Sequence, residues 1–419
     1  MRNLILACWA LLISHKIFLF RRSEYVDIHA GPDAVLPELL VLSCILGGTL
    51  LALSGRLMMK DSGFLKARGA ASWLVLYTLA ASASIVWAPS VVFAGAWALT
   101  LISATTLLVL YFEHADVGDC DRFASVSAFA MLPYPAYVFI GYFTLPLRPD
   151  MRVDPLGIHP NICSIIGFSM GTFLLCRALQ RQKGAITYLV LAGLFYTSAF
   201  LTANKTAALA TSIFLMILVA FAWRILTRIR AMIVTAIGIA IGLAIVYRTT
   251  TGLVTAGIPG HLQAYQMMGM GEDSPFFTVY SRYIIWQNCL ELFSSSPRTI
   301  LFGNGFTYVR QIGIPVVGEI SMRTAHNSYL QVLTDTGIAG LIPIVVMVFS
   351  LLARSLRRIG DIADSASFPI LMSWIVLFLV SFTSSDFAVI DATTCLFLSF
   401  NIAADTILRS ESASSGGPA

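Results

Sequence analysis

The stretch RTAHNSYLQVLTDTGIAGLIPIVVMVFSLLARSLRR, residues 323–358, decides the fold. It opens on polar residues, runs through an apolar core over 327–353 and stops at Arg354, Arg357 and Arg358. About 20 apolar residues cross the hydrocarbon of a bilayer, so this is a membrane span with one cationic end and one histidine-bearing end. The same unit recurs along the chain. The expected spans are 3–20, 35–55, 70–88, 90–112, 124–146, 158–176, 185–202, 206–223, 231–247, 327–353, 367–384 and 388–406. Some joints are tight turns, as at Ala88-Pro89-Ser90 and Thr202-Ala203-Asn204-Lys205.

The composition agrees. Of 419 residues, 57% are hydrophobic and 12% charged, and the mean hydropathy is +0.81. A soluble domain carries about twice that charge fraction, so lipid must be the solvent for most of the surface. The expected fold class is all-α, a polytopic integral membrane protein of about twelve spans. Residues 1–247 hold the first nine, 248–326 form one large polar loop carrying short helices, 327–406 hold the last three, and 407–419 read as a disordered tail. Arg2 followed by Leu4–Ile13 mimics a signal peptide, but His15, Lys16, Arg21 and Arg22 stand where small cleavage-site residues belong, so this reads as a retained first span. The seven cysteines include no CxxC pair, which speaks against a thiolate metal site or a disulfide framework.

Lys and Arg in short loops remain on the cytoplasmic side. Arg56, Lys60, Lys66 and Arg68; Arg177, Arg181 and Lys183; Arg224, Arg228 and Arg230; and Arg354, Arg357 and Arg358 all fall on one face of twelve alternating spans, together with both termini. That face is read as cytoplasmic, and the polar loop lies opposite. Within the loop, Ser281–Phe293 predicts a short helix with Arg282, Trp286, Cys289 and Phe293 on one side. Gly303-Asn304-Gly305 predicts a turn.

Cations on a face that normally excludes them invite a question about purpose. Lys205 sits at the outer mouth of the eighth span, and Arg282, Arg310 and Arg323 lie in the loop. Such a cluster suits an anionic ligand such as a diphosphate, although interfacial snorkelling is the plainer reading. Trp286, one turn after Arg282, can hold the guanidinium by stacking. On one continuous helix, His326, Leu330, Leu333, Gly337 and Gly340 share a face, and the glycines admit a close neighbour. His326 then stands where loop meets membrane, able to take a proton near neutral pH or to hydrogen-bond a phosphate oxygen; alternatively His326-Asn327 simply caps the helix. Asp335 lies about 13 Å further along at 1.5 Å per residue, too far for an obvious partnership. His159-Pro160-Asn161 opens the sixth span, where free N–H groups could receive an anion. No Walker loop, dinucleotide glycine motif or HExxH appears, and no cytoplasmic domain offers a nucleotide site. An activated donor would arrive within the membrane, attached to a lipid.

His326-Asn327, nine residues, then Gly337-x-x-Gly340 resembles the motif of the O-antigen ligase and O-antigen polymerase superfamily. Arg282 followed by Trp286, the run Phe302-Gly303-Asn304-Gly305-Phe306, and His159-Pro160-Asn161 are similar to further signatures of that family. Asn204-Lys205-Thr206 stands where members usually carry Ser-Arg. The resemblance implies an inverting, metal-independent glycosyltransferase of the bacterial inner membrane that needs no cofactor and works at the periplasmic face. Its donor would be an undecaprenyl-diphosphate-linked glycan. Its acceptor would be lipid A–core for a ligase, or another lipid-linked glycan for a polymerase of O-antigen, capsule or exopolysaccharide; a third branch glycosylates proteins. Membrane lipids are its surroundings, and no nucleic-acid partner is expected. Carried over, Lys205 and Arg282 grip the diphosphate with Arg323, and His326 activates the acceptor hydroxyl. His159, Asn161, Arg310, Asn327 and Trp286 are the further candidates for holding substrate. A transporter or lipid flippase is the rival from another class; the absence of an evident internal repeat and the placement of charges at span ends weigh against it.

Overall fold

The computed structural model describes residues 1–18, 43–55, 69–145, 160–180, 184–202, 277–317, 320–358, 365–382 and 391–414. The described chain is helical but for one hairpin. In order, the helices are α1 (Arg2–Phe18), α2 (Ser43–Gly55), α3 (Ala70–Ala83, extended by a 3₁₀ turn Ser84–Trp87), α4 (Val91–Phe112), α5 (Val117–Ala130), α6 (Pro133–Thr144), α7 (Pro160–Gln180) and α8 (Ala185–Thr202). After the undescribed stretch 203–276 come α9 (Phe277–Ser294), α10 (Pro297–Phe302) and α11 (Tyr308–Ile312), then strands β1 (Ile314–Val317) and β2 (Ile320–Met322). Next are α12 (Ser328–Arg357), α13 (Phe368–Ser381) and α14 (Ala392–Ser414). The strands pair antiparallel, Ile314 opposite Met322, an addition to a loop expected to carry helices alone. Among the described residues, six helical segments are long and apolar enough to cross a membrane: Ala70–Trp87, Val91–Phe112, Val117–Thr144, Asn161–Gln180, Ala185–Thr202 and Ser328–Arg357. Leu51, Val86, Val92, Phe143 and Ile186 are exposed, as helices solvated by lipid require.

Local sequence explains where the elements begin. Ser90 accepts from the Phe93 N–H and starts α4 immediately after the Ala88-Pro89 corner. Asp116 and Asp119 form a capping box at the head of α5, so this helix begins at Val117 and not near residue 124. Pro133 opens α6 after the bend at Met131 and Leu132. In the same way Ser296 and Thr299 cap α10, with Pro297 in its first turn.

The bundle has two unlike polar ends. α3 begins where the Ala70 N–H donates to Asp405 Oδ2 (3.0 Å) and ends where the Trp87 indole donates to the Phe302 carbonyl (3.4 Å). α12 packs along α3 and runs the opposite way, from His326 to Arg358. At its C-terminal end Arg354 pairs with the fully buried Asp405, which also holds Arg409, and Arg358 pairs with Glu411 at 3.0 Å. Arg177 pairs with Asp121, and Arg2 with Asp119. These bonds explain one correction. The tail was expected to be disordered from 407, yet α14 continues to Ser414 because Arg409 and Glu411 are anchored, the latter also by the Ser365 hydroxyl (2.8 Å).

A second correction concerns α12 itself. The face shared by His326, Leu330, Leu333, Gly337 and Gly340 assumed an unbroken helix, but Gly337 has φ 65° and ψ −164° and divides α12 into two segments. A break leaves the last carbonyls of the first segment in need of donors, and the Gly303–Gly305 turn supplies them. The Asn304 N–H donates to Thr334 O and the Gly305 N–H to Asp335 O, both at 2.9 Å. The approach is backbone against backbone. A Cβ on Gly337 would lie 2.6 Å from the Gly303 nitrogen and the Leu301 carbonyl, and one on Gly303, itself at φ 74°, would overlap the Asp335 carbonyl. Gly337→Ala should therefore cost about 1–3 kcal/mol from the left-handed backbone alone, and more from the overlap. Thermal unfolding in detergent should show the loss, while Gly95→Ala, whose Cβ meets nothing within 4 Å, should unfold as wild type does.

Candidate active site

The site grows from this joint. The first segment of α12 is capped by Asn327, whose side-chain oxygen accepts from the Tyr329 and Leu330 N–H groups at 3.0 Å each. Asn327 thus takes the role of a helix cap, the plainer of its two readings. His326, one residue earlier, is off the helix altogether, at φ 49°. Few residues with a side chain adopt that conformation, so the neighbouring bonds must impose it. They are in place: the Ala325 N–H donates to Gln331 Oε1 and the Trp286 indole N–H donates to the Ala325 carbonyl, each at 3.1 Å. His326 Nε2 meets the Thr324 hydroxyl at 3.2 Å.

α9 supplies the opposing wall. It runs from Phe277, longer than expected, and buries Ile285 and Cys289 with Val309, Ile314 and Ala325 in a small apolar cluster of their own. Arg282 is half-buried on this helix, and among the described residues no carboxylate or hydrogen-bond acceptor meets its guanidinium. Burial pulls the Arg282 pKa below its ordinary value, though a guanidinium remains charged at any physiological pH. The consequence is felt at His326. Burial, and after it the Arg282 charge, lowers the imidazole pKa to about 4, so the ring is neutral at pH 7. Among the described residues the expected stacking of Arg282 on Trp286 is not seen; the indole N–H instead donates to the Ala325 carbonyl. Cys289 is no rival nucleophile, since burial, reinforced by Asp335, pushes its thiol up to about 12.

Behind the histidine, the fully buried Asp335 accepts from the Val309 N–H at 2.9 Å, which fastens α11 to α12. Arg310, partly buried on α11, acts electrostatically on that carboxylate. Gln311, next to it, accepts from the Ser90 N–H and donates to the Thr307 hydroxyl (2.9 Å), hooking the loop over the α3–α4 corner. Of the residues singled out from sequence, the structure therefore brings together Arg282, His326, Asn327 and Trp286, with Arg310 behind them beside Asp335. Arg323 precedes them in the same segment and is exposed. Asn161 stands half-buried in the first turn of α7, a separate element. Lys205 and His159 lie outside the described residues. Among the described residues no three His, Cys, Asp or Glu side chains gather as a metal site would require. Sequence reasoning missed Gln331, fully buried; a glutamine one turn into an apolar span was the available signal, because a polar side chain at membrane depth needs a reason to be there.

The joint, the cap and the α9 wall fall inside one matched region. The family model described as O-antigen ligase (Wzy_C) matches residues 187–345. No curated protein is similar enough to the chain to be matched. Residues 187–345, which carry Arg282, the Gly303–Gly305 turn, His326 and Gly337, are similar to the O-antigen ligase family.

Proposed function

We propose that this protein transfers a glycan from undecaprenyl diphosphate to an acceptor hydroxyl, with inversion and without a metal, at the periplasmic face of the bacterial inner membrane. The acceptor is lipid A–core, which makes it an O-antigen ligase. The observation that carries this reading is the pairing of a half-buried guanidinium lacking any anionic partner among the described residues with a neutral imidazole beside it. An unpaired buried cation is costly, and a diphosphate supplies what is missing. The orientation has its own support. Arg177, Arg354 and Arg358 gather at the bundle end that also holds Arg2 and Arg409, which fits twelve spans with both termini cytoplasmic and the His326 end outside.

In the reaction so read, the acceptor oxygen attacks the anomeric carbon from the face opposite the diphosphate, which inverts the centre. His326 takes the hydroxyl proton as the new C–O bond forms. The bond from anomeric carbon to phosphate oxygen breaks, and the electron pair leaves with the lipid diphosphate. Fixed cations in a partly dehydrated site stabilise the charge that grows there; Arg282 provides one, and we assign Lys205 and Arg323 the same task. His159, Asn161 and Arg310 are proposed contacts to the donor or acceptor.

A base with a pKa of about 4 is weak, and donor binding corrects this. An anion seated on Arg282 offsets the charge that disfavours the imidazolium, so the pKa of His326 rises once donor is bound. A depressed histidine pKa keeps the neutral form present down to about pH 4 in the free protein. The acid limb of kcat/KM, which reports free enzyme, should therefore lie near pH 4, and that of kcat, which reports the donor complex, should lie higher. Coincident limbs would sink the coupling.

Purified protein given a lipid-linked glycan and either lipid A–core or a second lipid-linked glycan should yield the larger product with lipid A–core. Product from the second acceptor alone identifies a polymerase, and a glycan left covalently unchanged identifies a transporter. His326→Ala should lose about 10²–10⁴ in rate while the protein still accumulates in the membrane. Arg282→Lys should keep more activity than Arg282→Ala, because it retains the charge and loses only the planar fork; equal, mild effects would mean that Arg282 serves the interface alone.

A further inference from the structure

The backbone that carries His326 is gripped by two side chains that the reaction does not use. φ of His326 is rotation about the bond just after the Ala325–His326 peptide, and the Trp286 indole N–H donates to the carbonyl of that peptide at 3.1 Å. Gln331 Oε1 accepts from the N–H of the preceding peptide at 3.1 Å. On the far side, Asn327 is fixed by its cap bonds and by the Gln331 N–H, which donates to its carbonyl at 3.0 Å. The peptide before the histidine and the residue after it are thus pinned, while among the described residues the ring itself hydrogen-bonds the Thr324 hydroxyl alone. Trp286 and Gln331 come from different helices, α9 and the first segment of α12, so the grip exists only when both elements are docked.

We infer that Trp286 and Gln331 are positioning residues, a two-sided clamp on Ala325 that holds His326 in its left-handed conformation and keeps its imidazole against Arg282. Neither touches the reacting atoms; both act through the histidine. The inference deepens the reading of His326 as the base and rests on it for its meaning, though not for its geometry. The charged groups on the surrounding elements are Arg282 and the exposed Glu291 on α9, the exposed Arg298 on α10, Arg310 on α11 and Asp335 on the first segment of α12, with Arg323 exposed on the segment itself. Of these, Arg282 is the one whose charge bears on the ring. Release of the clamp therefore frees the imidazole from both its burial and its cationic neighbour.

The test uses the full chain in lipid nanodiscs. Diethyl pyrocarbonate acylates neutral imidazole, and peptide mass spectrometry reads its yield at His326 between pH 5 and pH 8. Trp286→Phe keeps the ring in the apolar cluster and removes the N–H; Gln331→Met keeps the side-chain length and removes the acceptor. In the wild type the yield should be nearly flat with pH, because the ring is neutral throughout. In both variants it should rise about thirty-fold from pH 5 to pH 8, as the ring regains a pKa of ~6.5. A merely space-filling tryptophan or glutamine would leave the profile flat, and a flat profile in either variant overturns the clamp. Transfer kinetics supply the second readout, with kcat reduced and the KM for donor within about two-fold of wild type. Should His326→Ala retain transfer, the base assignment falls, while the labelling profile still judges the clamp on its own.

Discussion

Everything at the outer end of the molecule depends on one backbone contact, in which the Gly303–Gly305 turn donates its N–H groups to the carbonyls left by the break in α12 at Gly337. A break inside a membrane helix is tolerated where protein, not lipid, satisfies the freed groups, and here Thr334, Asp335 and Gly305 are buried and Asn304 partly so. The contact ties the helical segments on either side of the break into one frame. The first segment of α12, with its Asn327 cap and Gln331, is set against α9 and α10. The second segment continues through the bundle beside α3.

The electrostatics arise from that placement. A histidine and an arginine side by side repel as soon as the imidazole is protonated, and burial strengthens the penalty by removing water. The fold accepts this arrangement because the imidazole can discharge itself; the guanidinium cannot. A neutral acceptor of protons next to an unneutralised cation is useful for a reaction in which a proton arrives as an anion departs. Asp335, the nearest buried carboxylate on α12, gives one oxygen to the Val309 N–H and lies beside Arg310, so it serves the scaffold and leaves the Arg282 charge available.

Hydropathy sees spans well because lipid enforces a long apolar run. Accordingly α3, α4, α7, α8 and α12 lie close to their expected positions. What it cannot see is backbone conformation within a run. Gly337 was legible as a place of close approach, yet the reading assumed a neighbouring helix, whereas the partner is the Gly303 turn and the end of α10. The difference lies in φ at a single residue, and no periodicity encodes it. Trp286 shows the same limit. Its spacing from Arg282 fits stacking, but the indole has a polar edge that must be satisfied when half-buried, and the nearest acceptor was a carbonyl distant in sequence. Asn327 was legible in either role, and cap geometry decided between them. Glu411 in the tail looks solvated in sequence; its partners, Arg358 and Ser365, come from elsewhere in the chain.

The two ends of the bundle solve opposite problems with the same side chains. At the α14 end the arginines meet carboxylates: Arg2 with Asp119, Arg177 with Asp121, Arg354 and Arg409 with Asp405, Arg358 with Glu411. Removing a partner of the fully buried Asp405 costs about 3–5 kcal/mol, whereas the exposed Arg2–Asp119 pair contributes little; together the pairs tie α1, α5, α7, α12 and α14 to one another. At the His326 end no carboxylate among the described residues meets Arg282. In the proposed reaction a stabilising carboxylate there would close the site, since the donor's anion would compete with a neighbour that never leaves. The rigidity of the paired end and the glycine joint together offset the cost of placing at the other end a half-buried cation that no described carboxylate neutralises.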